Sequence, residues 1–253
     1  MILAIDQGTT GTTCVVYDDR GQPLCSAYRE HRQHFPRPGW VEHDMREIWE
    51  AVRELSLEAL GQAGAVAGDL AGIGITNQRE TVCAWEPESG EALHRAIVWQ
   101  DRRGAELCER LREEGHEALI RERTGLVADP YFSASKMSWL LENVPDLGAR
   151  AHARAGARAL VFGTMDSWLM YKLTGEHLTD ATNASRTLLY DINAGDWDEE
   201  LLDLFGIPRE CLPEVRPSTG PFAECLPGVL GAHRAPVAGV AGDQQAALVG
   251  QGC

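Results

Sequence analysis

Four short stretches carry residue types whose order could do chemistry. In "AIDQGTTGTT" an apolar run ends in Asp6 and turns through Gly8, Thr9, Thr10 and Gly11. Such a turn offers N–H and O–H groups to phosphate oxygens while Asp6 faces a hydrated Mg²⁺, although the same residues also make an ordinary hairpin. In "GVAGDQQAA" a second apolar run ends in Gly242 and Asp243, followed by Gln244. A carboxylate at the carboxyl end of a strand is placed for ligand chemistry, and an Asp at a helix start is equally a plain N-cap. "GITNQRET" sets Arg79 and Glu80 at the end of a strand. Donors on Arg and acceptors on Glu suit a ligand rich in hydroxyls, whereas a solvated Arg–Glu pair is worth little. Trp99 in "IVWQDRR" and Tyr131 in "DPYFSASK" add a flat face and a hydroxyl, and each is otherwise simply core. His31, His34 and His43 lack an H-E-x-x-H arrangement and a partnering Cys, so no metal is expected there. No G-x-x-x-x-G-K-[ST] occurs, which excludes a P-loop.

These residues need strands that end side by side. "ILAI" reads as a strand buried on both faces, and "TCVVYD" and "PLCSAYRE" continue it as a meander. Asp44 opens a helix with Glu47 three residues on, a capping-box pattern. Ile48, Val52, Leu55 and Ala59 then form one apolar stripe. The helix fades at Gly61 to Gly64, and "LAGIGIT" enters the next strand. Asp101 to Gly115 and Ser133 to Asn143 read as helices, the second stopped by Pro145. "ALVFG" is a strand candidate, and Thr164 to Leu173 a helix closed by Gly175. Trp197 to Phe205 reads as a short acidic helix and "APVAGVAGD" as a late buried strand. Strands feeding helices over this length predict an α/β architecture.

The 253 residues can bury one large core or two modest ones. A formal charge of −15 excludes a nucleic-acid groove and a polybasic membrane contact, but not an anion held by backbone N–H groups, a metal or an Arg. The seven cysteines are scattered without a C-x-x-C, which suggests neither zinc nor disulfides and fits a reducing cytosol. With no basic n-region and no apolar run near the roughly 20 residues of a membrane span, a cytoplasmic protein is expected. The sequon Asn183-Ala184-Ser185 is read as chance.

In this order, "DQGTT", "PGWVEHD", "GITNQRET", "IVWQDRR", "TGLVADPYFS", "TNASRT", "IPRECLPEV" and "GVAGDQQAAL" resemble the glycerol kinases of the FGGY carbohydrate-kinase family, along essentially the whole chain. The resemblance implies an actin-like, ribonuclease-H-like α/β fold with a mixed central sheet flanked by helices. Two such domains enclose the active site, with ATP and Mg²⁺ as cofactors. The γ-phosphoryl of MgATP passes to glycerol, giving sn-glycerol 3-phosphate. By motif, Arg79 and Glu80 bind glycerol hydroxyls, Tyr131 and Gln244 share the pocket, and Trp99 packs on the carbons. Asp243 is the implied general base and, with Asp6, lies on the Mg²⁺ side; Thr9, Thr10 and Gly11 line the phosphate turn. Many relatives follow "DQGTT" with Ser-Ser-Arg, whereas this chain has Gly11, Thr12 and Thr13, so its turn offers no guanidinium to the nucleotide. "PGVLGAHRAP" keeps Arg234 but is poorer in glycine than the loop with which some bacterial members bind an inhibitory sugar bisphosphate.

The implied layout is a glycerol-binding domain over 1–242, with 243–253 starting the connection to a second, nucleotide-binding domain outside this chain. Expected partners are glycerol, MgATP and that second domain, with no nucleic acid and no membrane span; a homo-oligomer is compatible with them. The chain by itself is expected to turn over little. Two alternatives stand beside this one: a stand-alone polyol-binding domain without turnover, and a kinase of another small polyol or sugar. ATP-dependent release of product separates a kinase from a binding module. An actin-like ATPase of filament or chaperone type has no use for "GITNQRET".

Overall fold

The computed structural model describes residues 1–152 and 159–253. The chain begins with the meander: β1 (Ile2–Gln7), β2 (Gly11–Tyr17) and β3 (Pro23–Glu30) pair antiparallel in turn. Then come β4 (Gln33–His34), β5 (Glu42–His43) and α1 (Met45–Gln62). Asp44 caps α1 by accepting from the N–H groups of Arg46 and Glu47, a contact worth about 1 kcal/mol. The capping box is only half made, because Glu47 accepts instead from the N–H of Arg32. All four residues of the predicted stripe, Ile48, Val52, Leu55 and Ala59, are buried.

β6 (Gly72–Asn77), β7 (Val82–Trp85) and β8 (Ala96–Ile97) precede the helices α2 (Ala105–Glu113), α3 (Glu117–Thr124), α4 (Ser133–Asn143) and α5 (Leu147–Ala151). β9 (Val161–Thr164) feeds α6 (Met165–Thr174), which ends on Gly175 in the left-handed region at φ +80. The rest runs β10 (Leu178–Asp180), α7 (Ala181–Ala184), β11 (Tyr190–Asp191), β12 (Asp196–Trp197) and α8 (Glu199–Phe205). It finishes with β13 (Glu214–Arg216), β14 (Thr219–Glu224), β15 (Pro236–Gly242) and α9 (Asp243–Gly250). Two helices start later than the sequence predicts. Asp101 lies outside α2, buried, holding the Val41 N–H and the Arg103 guanidinium. Trp197 belongs to β12, and Asp198 caps α8 through the Leu201 N–H.

Among the described residues the main sheet runs β14-β15-β6-β1-β2-β3, parallel at β15, β6 and β1 and antiparallel outside them. The expectation that "ILAI" is buried on both faces is overturned. Leu3 and Ile5 enter the core, but Ala4 is half-buried, Asp6 is exposed and Ile2 is 46% exposed. The reading of "APVAGVAGD" is corrected too: Val237 and Val240 are buried on either side of a register shift between Val237 and Gly239, and Ala238 is exposed. The cause is that α1 and α6 share one core on one face of the sheet. On the other face, among the described residues, α9 rises with none of its residues buried.

A second sheet, β4-β5-β8-β7-β9, forms a wall between two cores. Because strand side chains alternate, Cys83 and Trp85 of β7 enter the first core, while Val82 and Ala84 enter a second one built on α2, α3, α4 and α8. The site lies where this second unit meets the ends of the parallel strands.

Candidate functional site

Strands β15, β6 and β1 end in register. Gln7, Asn77 and Gly242 form their last shared row, and Asp6, Thr76 and Ala241 the row before it. One residue further on, Asp243 opens α9. It is not the N-cap, which is Gly242. Asp243 Oδ1 accepts from the Gln244 N–H at 2.7 Å and from Arg79 Nε at 3.1 Å. Its Oδ2 has no hydrogen-bond partner among the described residues. A Cβ at position 242 would run into the Arg79 side chain, so this glycine is what lets the guanidinium cross to Asp243. Arg79 is 5% exposed, and its other partner is Gln245 Oε1 at 3.3 Å. The expected Gln244 side chain is exposed and makes no hydrogen bond among the described residues, so the glutamine joined to Arg79 is its neighbour.

Arg79 and Glu80 do not bond to each other. The Thr81 N–H closes onto the Arg79 carbonyl at 2.7 Å, and Glu80 sits at the centre of that tight turn with φ +60. This left-handed conformation is costly for a side chain other than glycine, and it sends the two side chains apart. Glu80, 1% exposed, pairs with Arg186 Nε at 2.7 Å. Burial pushes the Glu80 carboxyl up, while the Arg186 hydrogen bond and the charges of Arg79, Arg186 and Lys136 pull it back. The Arg186 guanidinium lies 4.9 Å from the Phe132 ring centre and 5.9 Å from that of Tyr131. Tyr131 meets Trp99 edge-on at 5.5 Å, so the two aromatics expected at the polyol pocket are neighbours. Burial, and then the Glu80 charge, push the Tyr131 phenol up.

The loop bearing Tyr131 is fixed from behind. Lys136 on α4 is fully buried, and its Nζ donates to the carbonyls of Pro130, Tyr131 and Phe132 at 2.7, 2.7 and 2.9 Å. Burial pulls this ammonium down to about 7.

The predicted phosphate turn, Thr9, Thr10 and Gly11, is closed by a 2.9 Å bond from the Gly8 N–H to the Gly11 carbonyl. Gly11 itself begins β2, where an added Cβ would meet the Tyr28 ring and the Arg29 carbonyl at 2.7 Å. A side chain at this position would therefore collide with β3. Thr10 is exposed, whereas Thr9 is engaged on two sides. Its hydroxyl accepts from Trp99 Nε1 at 2.9 Å and its carbonyl from Gln33 Nε2 at 2.8 Å. Gln33 in turn holds His43 Nε2 at 2.7 Å, and burial, with His31 and His34 nearby, pulls His43 down to about 3. Held in this network, His43 ties the Thr9 turn to β5 through Gln33.

Asp6 and Asp243 face the same opening. Desolvation by the sheet and then the Asp243 charge hold the Asp6 carboxyl above its usual range. Beside them the buried Thr76 hydroxyl has no partner among the described residues. Among those residues no group of three or more His, Cys, Asp or Glu forms a metal cage. Two carboxylates and a hydroxyl are the sparse oxygen set that Mg²⁺ uses when it keeps its waters and binds phosphate, so the donors fit that ion. The opening continues as a groove of ≈ 670 Å³ over the uncovered sheet face, lined in part by Ala4, Val15, Gly74 and Ala247.

Sequence reasoning missed Arg186 and Lys136. "TNASRT" and "DPYFSASK" were legible as motifs, but nothing local says that residue 186 reaches residue 80 or that a lysine is buried. The sequon reads correctly as chance, since Asn183 is fully buried and its Nδ2 bonds to Asp180 and Asn77. Among the described residues no two cysteines are joined by a disulfide.

Comparison with known proteins agrees with this geometry. Residues 1–250 match the model of the FGGY family of carbohydrate kinases, N-terminal domain. The chain is 58% identical over 254 residues to the glycerol kinase of Geobacter sp. (strain M21), covering 100% of this chain and 50% of that protein. The crystal structure of Plasmodium falciparum glycerol kinase with ADP superposes with a TM-score of 0.93 at 37% identity, over 99% of this chain and 50% of that one. The xylulose kinase of Rhodospirillum rubrum shares the fold, with a TM-score of 0.88 at 23% identity over 99% of this chain and 50% of that one. The chain thus spans about half the length of the curated relatives it matches. With its mixed sheet, its strand-end carboxylates and this match over nearly its whole length, the chain belongs to the FGGY family of carbohydrate kinases and comprises that family's N-terminal domain.

Proposed function

We propose that this chain is the acceptor-binding half of an ATP-dependent glycerol kinase. The observation that carries the reading is the Arg79–Asp243 contact beside Glu80–Arg186. In this reading the forked donor, the buried acceptor and the carboxylate with a free oxygen all meet one polyol, with the Trp99–Tyr131 pair beside it. A triol offers a donor and an acceptor at every carbon. Its hydroxyls accept from Arg79 and Arg186 and donate to Glu80, and its carbons lie against Trp99.

The terminal hydroxyl then loses its proton to Asp243 Oδ2 as its oxygen bonds to the γ-phosphorus. The bond from that phosphorus to the β–γ bridging oxygen breaks, and ADP leaves. Phosphoryl transfer asks the protein mainly for alignment and charge neutralisation, and one placed base contributes about 10²–10⁴-fold. Mg²⁺, held by Asp6 and Asp243, would neutralise phosphate charge. Thr10 and the Gly8–Thr9 backbone edge the place for the phosphates, with the groove over the open sheet face continuing toward a second domain.

In this reading residues 1–242 are the glycerol-binding domain and 243–253 start the connection to the nucleotide-binding one. The setting is cytoplasmic; among the described residues no helix is long and apolar enough to cross a membrane. The test has two arms. Calorimetry on the 253-residue chain should detect glycerol, and a coupled assay should detect glycerol 3-phosphate once the chain is joined to a family C-terminal domain. A joined protein that hydrolyses ATP without phosphorylating glycerol would sink the reading.

A further inference from the structure

The segment 180–187 contains "TNASRT", read in the sequence only as a motif and a chance sequon, yet it touches both strand ends of the site. We propose that Asp180, acting through Thr182 and Asn183, is the positioning residue that aims Asp243 and Arg79; this rests on the kinase reading above. Asp180 is fully buried and its carboxylate collects five donors. They are the Thr182 N–H at 3.0 Å and hydroxyl at 2.7 Å, the Asn183 N–H at 3.0 Å and Nδ2 at 2.8 Å, and the Ser218 hydroxyl at 2.6 Å. The two backbone bonds are an ordinary N-cap of α7. The three side-chain donors go beyond capping, and each hands the contact onward.

The Thr182 hydroxyl gives its proton to Asp180 and accepts the Gly242 N–H at 2.8 Å. Gly242 ends β15 and immediately precedes Asp243, so this bond fixes the peptide from which the base projects. Asn183 exchanges two amide bonds with Asn77, at 2.9 and 3.2 Å, holding the end of β6 two residues before Arg79. The Ser218 carbonyl accepts the Val240 N–H at 3.0 Å, a second grip on β15. Arg186, near the end of the same segment, holds Glu80. One buried carboxylate thereby references the base strand and the clamp strand to each other. Its bonds are charge-assisted, which makes them stiffer than neutral ones.

The test is Thr182→Val, which keeps the volume and removes the hydroxyl, with Thr182→Ser as the conservative rescue. Both are made in the chain joined to a family C-terminal domain, beside the unsubstituted fusion. Since a misplacement of about 1 Å can cost on the order of 10²-fold, Thr182→Val should lower kcat by about ten- to a hundredfold. The KM for glycerol should stay within about twofold and Thr182→Ser should recover most of the lost kcat, a split that a general loss of stability would not give. In the 253-residue chain, amide hydrogen exchange at Gly242 should accelerate with valine and not with serine, while α1 amides stay unchanged. Asp180→Asn should repeat the kcat pattern more severely; should it fail to fold, the Thr182 pair still decides. An active fusion in which valine leaves kcat unchanged, or in which serine is as slow as valine, overturns the proposal alone. An unsubstituted fusion that never phosphorylates glycerol overturns the kinase reading and the proposal with it.

Discussion

The polyol wall and the uncovered face of the main sheet lie side by side and are built in opposite ways. In the wall, Arg79 and Glu80 are 5% and 1% exposed, and both are ion-paired. Lys136 props the Tyr131 loop on three carbonyls. On the open face, Asp6 and Ala238 look outward, and Leu248 and Val249 of α9 are 56% and 77% exposed. One region is packed and paired within itself, while the other presents open, partly apolar surface. If the proposed function holds, substitutions in the two regions should fail in different assays.

The largest effect is expected from Asp243→Asn, which keeps shape and hydrogen bonding but cannot take a proton. Turnover in the completed kinase should fall by about 10²-fold or more, with glycerol affinity nearly unchanged. Turnover within a few-fold of the parent would remove Asp243 from the base role. Next, Arg79→Ala strikes the wall. It deletes the donor fork and frees Asp243, so calorimetry should show glycerol binding weakened by about ten- to a hundredfold, as for lost bonds to a charged group, with nucleotide affinity as the control. Unchanged glycerol affinity would show that the wall is not the clamp.

Lys136 gives a pH signature. Its folded pKa, about 7, lies below the ordinary 10.5, so between these values the unfolded chain binds more protons. Stability from this group is fully present above about 10.5 and is lost as pH falls toward 7. Relative to Lys136→Met, the parent should gain stability as pH rises through that window, read as midpoints of urea unfolding. A constant difference would mean that the ammonium titrates alike in both states. The smallest effect should come from Trp99→Phe, which keeps the flat face but removes the bond to Thr9. A neutral hydrogen bond is worth about 1 kcal/mol, so the KM for ATP should rise by roughly fivefold, and that for glycerol by less. If only the glycerol KM moves, the wall and the turn are not coupled through this indole.

Much of the frame was legible because its signals are local. The apolar stripe of α1, the cap at Asp44 and the left-handed stop at Gly175 each involve residues within a few positions of one another. The outward alternation of β1 was not, because "ILAI" reads the same whether a strand is covered on both faces or on one. At the site, the strand-end carboxylates and the Arg–Glu step stood out by type and place. Their partners did not, since Arg186 lies 106 positions from Glu80, and Gln245 lies 166 from Arg79. That Gln245 rather than Gln244 reaches Arg79 depends on the rotation of a helix that begins at that point.

Helix α9 is anchored at one end only. Its start is tied at Gly242 and Asp243, while its far end, at Val249 and Gly250, lies in the open. Leu248 and Val249 thus offer apolar surface to a covering partner within about two helical turns of Asp243.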